Sequence, residues 1–406
     1  MKCRINKKKC NIFLNFGKMP LANGFLKKKD IKKEYFFNMS VSFNKSLSLF
    51  QLVKNPSPKK MFNKKYPFYT SSSKFMIEHF KKFSVWAKKN YLKKKGYRIL
   101  EIGSNDGTFL KNFKKDNCLG FEPSKSVHKI AKQNGIKSIN KFFNLNNIKK
   151  LKKNIQFDMI VGSNVFCHIP DQVDLIKSIN KLLTMNGTLV FEEPYLGSMF
   201  KKVSYDQIYD EHIFMFSVSS IKKIYELFNF KLVDAIPQKT HGGSMRYIIQ
   251  RNYGQKISKR LLKLLNYEKQ HFIDKIKGCL IFKKKVEESK KNLIKKIKKI
   301  KMKKEKIFGY GATSKSTTIL NYCNLNSKHI EMIFDNSKTK INKFTPLSNI
   351  PIVNSNKFFK TKIDYCVLFA WNHYKEIFSK IKKSKDIKWL VHIEKKHFGN
   401  YRKYFI

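Results

Sequence analysis

From Arg98 to about Arg251 the chain alternates short apolar runs with amphipathic stretches, and it does so again after Lys306. That alternation is the pattern of βα units, so it restricts the chain to α/β folds built on largely parallel sheets. In the first series, residues 98–102, 118–122, 157–162 and 187–193 read as strands. Residues 230–235 and 245–250 read as an antiparallel pair at the sheet's edge. The second series, with strands at 307–309, 330–334 and 365–370, predicts a smaller α/β domain. Between the two, residues 255–306 are lysine-rich with Leu, Ile and Phe at helical spacing, which predicts one or two long amphipathic helices. Residues 1–85 carry loop signals at Gly17, Pro20, Pro56, Pro58 and Ser71–Ser73 and read as an irregular lobe. The 406 residues therefore divide at 1–85, 86–254 and 255–406.

The charge needs a separate account, because 86 Lys+Arg face 28 Asp+Glu for a formal +58. Only six of the basic residues are Arg, whereas sites that grip phosphate or base edges favour the bidentate guanidinium over the hydrated lysine point charge. The lysines are spread over every segment, and no aromatic-interleaved basic motif offers a stacking platform. The surplus reads as a solvated lysine background rather than a nucleic-acid site. No run reaches the ~18–20 apolar residues of a membrane span. Seven scattered cysteines suggest no disulfide framework, so a reducing cytoplasm is the expected compartment.

The most informative stretch is Arg98-Ile99-Leu100-Glu101-Ile102-Gly103-Ser104-Asn105-Asp106-Gly107, a strand leading into a glycine turn. Gly103 and Gly107 would let the backbone approach a ligand. Glu122 follows about 20 residues on, at the end of the next strand, where a doubly wound fold places a carboxylate to accept ribose hydroxyls. Glu101 and Asp106 would repel a pyrophosphate. They suit a cationic amino-acid nucleoside instead, and S-adenosylmethionine fits, with Asn105 and Asn164 as further contacts. Ser124 is placed to cap the following helix.

Five stretches then resemble the three-part sugar C-methyltransferases. They are Met19-Pro20-Leu21-Ala22-Asn23-Gly24-Phe25; Tyr66 to Ser73 with His79-Phe80; Asn164 with His168-Ile169-Pro170-Asp171; Glu192-Glu193-Pro194-Tyr195 with Tyr205 to His212; and Gly309-Tyr310-Gly311-Ala312-Thr313-Ser314-Lys315. The resemblance implies a class I methyltransferase sheet of seven strands and a Rossmann-like C-terminal domain. It also implies methylation of the carbon beside the ketone of a nucleotide-linked 4-keto-deoxysugar. Such a carbon must lose a proton first, so a base and a partner for the enolate oxygen are required. The resemblance puts these roles on His212 and Tyr209, with Glu211 orienting them. His168 and Asn164 would line the sugar pocket, and Tyr66 would close it. The glycine turn at 309–312 would meet an anion, with Ser314, Lys315, Lys340 and Lys343 near a diphosphate.

Two departures stand out. Phe68 replaces the family's usual tyrosine. The family's paired Cys-x-x-Cys zinc ligands are reduced to Cys3 and Cys10, too few for tetrahedral zinc. The expectation is that no metal is bound and that Phe36, Phe37, Leu47, Leu49, Phe50 and Leu52 hold the lobe. Other readings are a methyltransferase with an RNA or protein acceptor and a non-catalytic relative that only binds.

Overall fold

A computed structural model describes residues 1–61, 69–381 and 387–406. Its central sheet runs Phe230–Gln238, Ser244–Arg251, Leu183–Pro194, Phe157–Ser163, Ile99–Ile102, Cys118–Phe121, Ser138–Ile139. All neighbours pair in parallel except Ser244–Arg251, which runs antiparallel to the strands on both sides. Ile99–Ile102 is buried at every position, as a strand covered on both faces must be. From it the chain moves outward to Cys118–Phe121 on one side and to Phe157–Ser163 on the other. That reversal opens a crevice at the strands' carboxyl ends. This is the seven-stranded class I methyltransferase arrangement, hairpin included.

The C-terminal sheet is parallel throughout, in the order Ile352–Asn354, Ile333–Asp335, Ile307–Tyr310, Tyr365–Leu368, Lys388–Leu390. Two helices, Lys259–Gln270 and Ile276–Met302, lead into it. On the longer helix Cys279, Phe282, Val286, Leu293, Ile297 and Ile300 are buried. These positions recur at three and four residues, so one stripe enters the core while the lysines stay in water.

The N-terminal lobe departs from the irregular reading. Asn11–Pro20, Phe36–Asn44 and Leu49–Leu52 form an antiparallel sheet, completed by Phe214–Met215 from the middle of the chain. Its first strand shifts register between Ile12 and Leu14 and again between Asn15 and Gly17. Such bulges break the apolar–polar alternation by which a strand is recognised, so Gly17 looks like a loop signal. Leu47, Leu49, Phe50 and Leu52 are buried, while Phe36 and Phe37 are half-buried.

Cys3 and Cys10 are both buried, and each shifts the other: Cys10 lowers the Cys3 thiol to about 6, while Cys3 and burial raise that of Cys10. Beside them Asn6 Nδ2 donates to Ser46 Oγ at 2.7 Å, and Asn44 Oδ1 accepts the Leu47 N–H at 2.9 Å. Among the described residues, no third Cys, His, Asp or Glu joins this pair. Metal analysis of the purified protein is expected to find no stoichiometric zinc; one zinc per chain would contradict this.

Candidate active site

A cavity of about 470 Å³ opens at the carboxyl ends of the central strands. Glu101, Gly103, Asn105, Glu122, Asn164 and His168 line it, with Glu192 and His241. Glu101 is 4% exposed, and its Oε2 has no hydrogen-bond partner among the described residues. Burial pushes its carboxyl well up, helped by the negative neighbours Asp106 and Glu122. Glu122 accepts the Ser124 N–H at 2.7 Å and the Asn105 N–H at 3.1 Å, yet burial still raises it to about 7. Ser124 holds the N-cap position without a side-chain capping bond, and its own N–H is taken by Glu122.

Gly103 lines the cavity and Gly107 does not, and the backbone constrains both. Gly103 has φ +68°, and a Cβ there would lie 2.6 Å from Val165 Cγ2. Gly107 has φ +81° and stands against Ile136, outside the cavity lining. Backbone conformation and packing between loops require these two glycines; no ligand contact is needed to explain Gly107. The Thr70–Ser72 turn covers the same loop: Thr70 N–H donates to Asn105 Oδ1 at 2.9 Å and Ser71 N–H to Asp106 Oδ2 at 2.8 Å. Tyr66 and Phe68 lie outside the described residues.

Beyond His168 the chain assembles a second cluster. The rings of His168 and His212 stack with centroids 5.2 Å apart. His212 Nε2 lies 2.7 Å from the Tyr209 hydroxyl, and its Nδ1 lies 2.8 Å from the Gln207 carbonyl. A carbonyl oxygen only accepts, so Nδ1 carries the proton and Nε2 presents a lone pair to the phenol. Burial holds both histidines below their ordinary range, His168 at about 3, which keeps them neutral. Ser314, which opens the helix Ser314–Tyr322, offsets part of the rise that burial imposes on the Tyr209 phenol. Lys315, 8% exposed, places Nζ 3.3 Å from Asn372 Oδ1 and 5.0 Å from the centre of the Trp371 ring. Tyr209, Glu211, His212 and Lys315 do not line the cavity; His168 lines it and stacks on His212.

The turn at 309–312 corrects the anion expectation. The Ala312 N–H donates to Asp335 Oδ2 at 2.8 Å, and Lys340 Nζ donates to the Ala312 carbonyl at 2.7 Å. A carboxylate already occupies the place where an anion was anticipated, and Lys340 is engaged nearby.

Several groups escaped the sequence. Glu192 Oε2 lies 2.6 Å from His79 Nε2, and its Oε1 accepts from Arg246 Nε at 2.7 Å. Burial alone would raise Glu192, but His79 and Arg246 outweigh it and lower it. Glu193, on the opposite face of the strand, accepts the N–H groups of Val165 and Phe166 at 3.0 and 2.7 Å. It thereby fixes the loop that carries Asn164 and His168. Two adjacent acids on a strand buried on both faces were the available signal, since alternation sends them to opposite sides.

These groups set a pH optimum for stability. Burial raises Glu122 and Glu193 from 4.5 to about 7. The folded state then holds more protons than the unfolded one, and their contribution fades as pH rises from 4.5 through 7. His168 is lowered from 6.5 to about 3, so its contribution is lost as pH falls from 6.5 toward 3. Two such acids outweigh one histidine above pH 4.5, so the melting temperature is expected to peak near pH 4.5 and to fall toward pH 7. A flat profile up to about pH 8 would contradict this.

Residues 73–235 match the methyltransferase domain family. With the strand order, this makes the chain an S-adenosylmethionine-dependent methyltransferase. Residues 239–393 match the C-methyltransferase C-terminal domain. It is 25% identical to the C-methyltransferase NovU of Streptomyces niveus over 369 residues, covering 90% of this chain and 88% of that protein. Among solved structures, a methyltransferase from Clostridium acetobutylicum is 13% identical with a TM-score of 0.34, over 43% of this chain and 92% of the other. A possible histamine N-methyltransferase from Thermotoga maritima is 18% identical with a TM-score of 0.33, over 43% and 91%. Superpositions at those scores carry no argument; the fold assignment rests on strand order and the family match. No helix among the described residues is long and apolar enough to cross a membrane.

Proposed function

We propose that the protein methylates the carbon beside the ketone of a nucleotide-linked 4-keto-deoxysugar. The observation that carries the reading is the directed chain Tyr209–His212–Gln207, neutral, buried and stacked on His168 at the cavity wall. A carbon acid needs an uncharged base, and the Gln207 carbonyl fixes the tautomer whose Nε2 lone pair accepts from the Tyr209 hydroxyl. A proton leaving the substrate would pass to Nε2, directly or through the Tyr209 hydroxyl. The phenol is then a donor for the developing enolate oxygen. S-adenosylmethionine, when bound, supplies an electrophilic sulfonium methyl group.

The residues present fit that group. The orphaned Glu101 Oε2 suits an ammonium, Glu122 suits ribose hydroxyls, and Asn105 and Asn164 offer side-chain amides at the same cavity. Lys315, buried between the two Rossmann-like sheets, is assigned to the substrate's anionic group, and Tyr66 to closing the pocket. We assign residues 1–85, 86–254 and 255–406 as the lobe, the methyltransferase domain and the linker with C-terminal domain. Similarity to a C-methyltransferase over nine-tenths of the chain supports the reading. Incubation with S-adenosylmethionine and a 4-keto-6-deoxysugar nucleotide is expected to give a sugar nucleotide heavier by one methylene, detected by mass spectrometry. Cofactor binding without methylation of any 4-keto sugar nucleotide would overturn the substrate assignment.

A further inference from the structure

The stretch Met19 to Phe25 stands out in the sequence, yet nothing in the proposed chemistry uses it. In the structure it leaves the strand Asn11–Pro20 and lies against the loop that carries Tyr209 and His212. The Ala22 N–H donates to Asp210 Oδ1 at 3.0 Å, and Asn23 Nδ2 donates to Glu211 Oε1 at 2.7 Å. From the other side, the Thr317 hydroxyl donates to the Ala22 carbonyl at 2.8 Å and the Thr318 hydroxyl to the Ile208 carbonyl at 2.9 Å. Parts of the N-terminal, central and C-terminal regions thus meet on one loop.

Asp210 and Glu211 are 2% and 4% exposed. Two carboxyls buried side by side do not both ionise cheaply, so they titrate as a pair. Burial raises both, and Asp210 raises Glu211 further. The bonds from Ala22 and Asn23 work the other way, each favouring the ionised form of one partner. Glu211 feels the charge of Asp210, and its own charge acts on Tyr209 in the same loop and on Cys167 in the facing turn. Lys315 acts on His212 from the C-terminal helix.

We propose that Asn23 is a positioning residue for the Tyr209–His212 pair: its amide, held on Glu211, fixes where the negative charge of the Asp210–Glu211 pair sits. The N-terminal lobe is then a working part of the site, not only a packing domain. The proposal rests on the function proposed above. It treats ionised Glu211 as the form that orients Tyr209 toward His212.

The test compares wild type, Asn23→Ala and Asn23→Asp. Loss of the amide donor should move the acidic limb of the kcat profile up by about one pH unit, with activity recovering at alkaline pH. Asn23→Asp, which sets a further acid against Glu211, should move it further. A uniform fall in kcat with no movement of the limb would overturn the proposal, as that is what a merely structural contact predicts. A second readout needs no substrate: the effect of Asn23→Ala on the pH dependence of the melting temperature should vanish in a Glu211→Gln background. If it persists there, Asn23 does not act through Glu211. Should wild type methylate no 4-keto sugar nucleotide, the functional reading fails, while this stability cycle still decides whether Asn23 and Glu211 are coupled.

Discussion

His212→Asn is expected to lower kcat by roughly 10²–10⁴-fold, the usual contribution of a positioned general base. Asparagine keeps a polar group for the Gln207 carbonyl, so the loop should hold its shape, but it offers no basic lone pair to Tyr209. Because His212 does not line the cavity, the affinity for S-adenosylhomocysteine should stay unchanged. Single-turnover kinetics together with calorimetric titration of the product cofactor separate the two quantities. Loss of cofactor affinity in parallel with kcat would mean that the substitution disturbs the cavity, and the assignment of His212 as base would fall. Tyr209→Phe should cost less, since Nε2 keeps its lone pair when the phenol is removed.

The second large effect concerns Glu101. Its carboxyl is raised well above the ordinary range by burial and by Asp106 and Glu122, which favours the protonated form in the free protein. A ligand ammonium placed against the orphaned oxygen would favour the ionised form, and the proton must leave as the ligand binds. Cofactor affinity is therefore expected to rise with pH, with proton release visible as a buffer-dependent enthalpy. Glu101→Gln removes both the charge and the titration. It should weaken binding by about 10–100-fold, the size of a lost charge-assisted hydrogen bond, and abolish the proton release that belongs to Glu101. Binding that is unchanged in strength and equally pH-dependent in Glu101→Gln would place the ammonium elsewhere.

The central sheet was legible because its strands are bounded by glycine and proline turns and because Glu101 and Glu122 end consecutive strands. Both acids prove to line one cavity. The N-terminal sheet was not legible, since two register shifts scramble the alternation of Asn11–Pro20 and its last strand comes from residues 214–215. No local pattern reports a partner that distant in the chain. The same limit applies to the site. Gly107 was marked as a special backbone position, but sequence could not say that Ile136 packs beside it. The turn at 309–312 was recognised, while its neutralising acid, Asp335, arrives from the next strand. Likewise Glu192 acquires His79 and Arg246 only through folding, and Asn23 meets Glu211 across 188 residues of chain.

The +58 charge contributes little to this account. The groups that carry it are uncharged or acidic: a neutral His212, a phenol, and carboxyls raised by burial. One lysine, Lys315, is enclosed near them, and most of the others remain in water. Long-range attraction of an anionic substrate is the role left to the surplus, and it predicts a KM that rises with salt while kcat holds.

The most direct test of base-promoted enolate formation leaves out methyl transfer. Wild-type protein saturated with S-adenosylhomocysteine is incubated with a 4-keto-6-deoxysugar nucleotide in deuterated water, and the carbon beside the ketone is followed by NMR. The account predicts deuterium incorporation at that carbon, lost in His212→Asn. No exchange in wild type, or equal exchange in the variant, would contradict it.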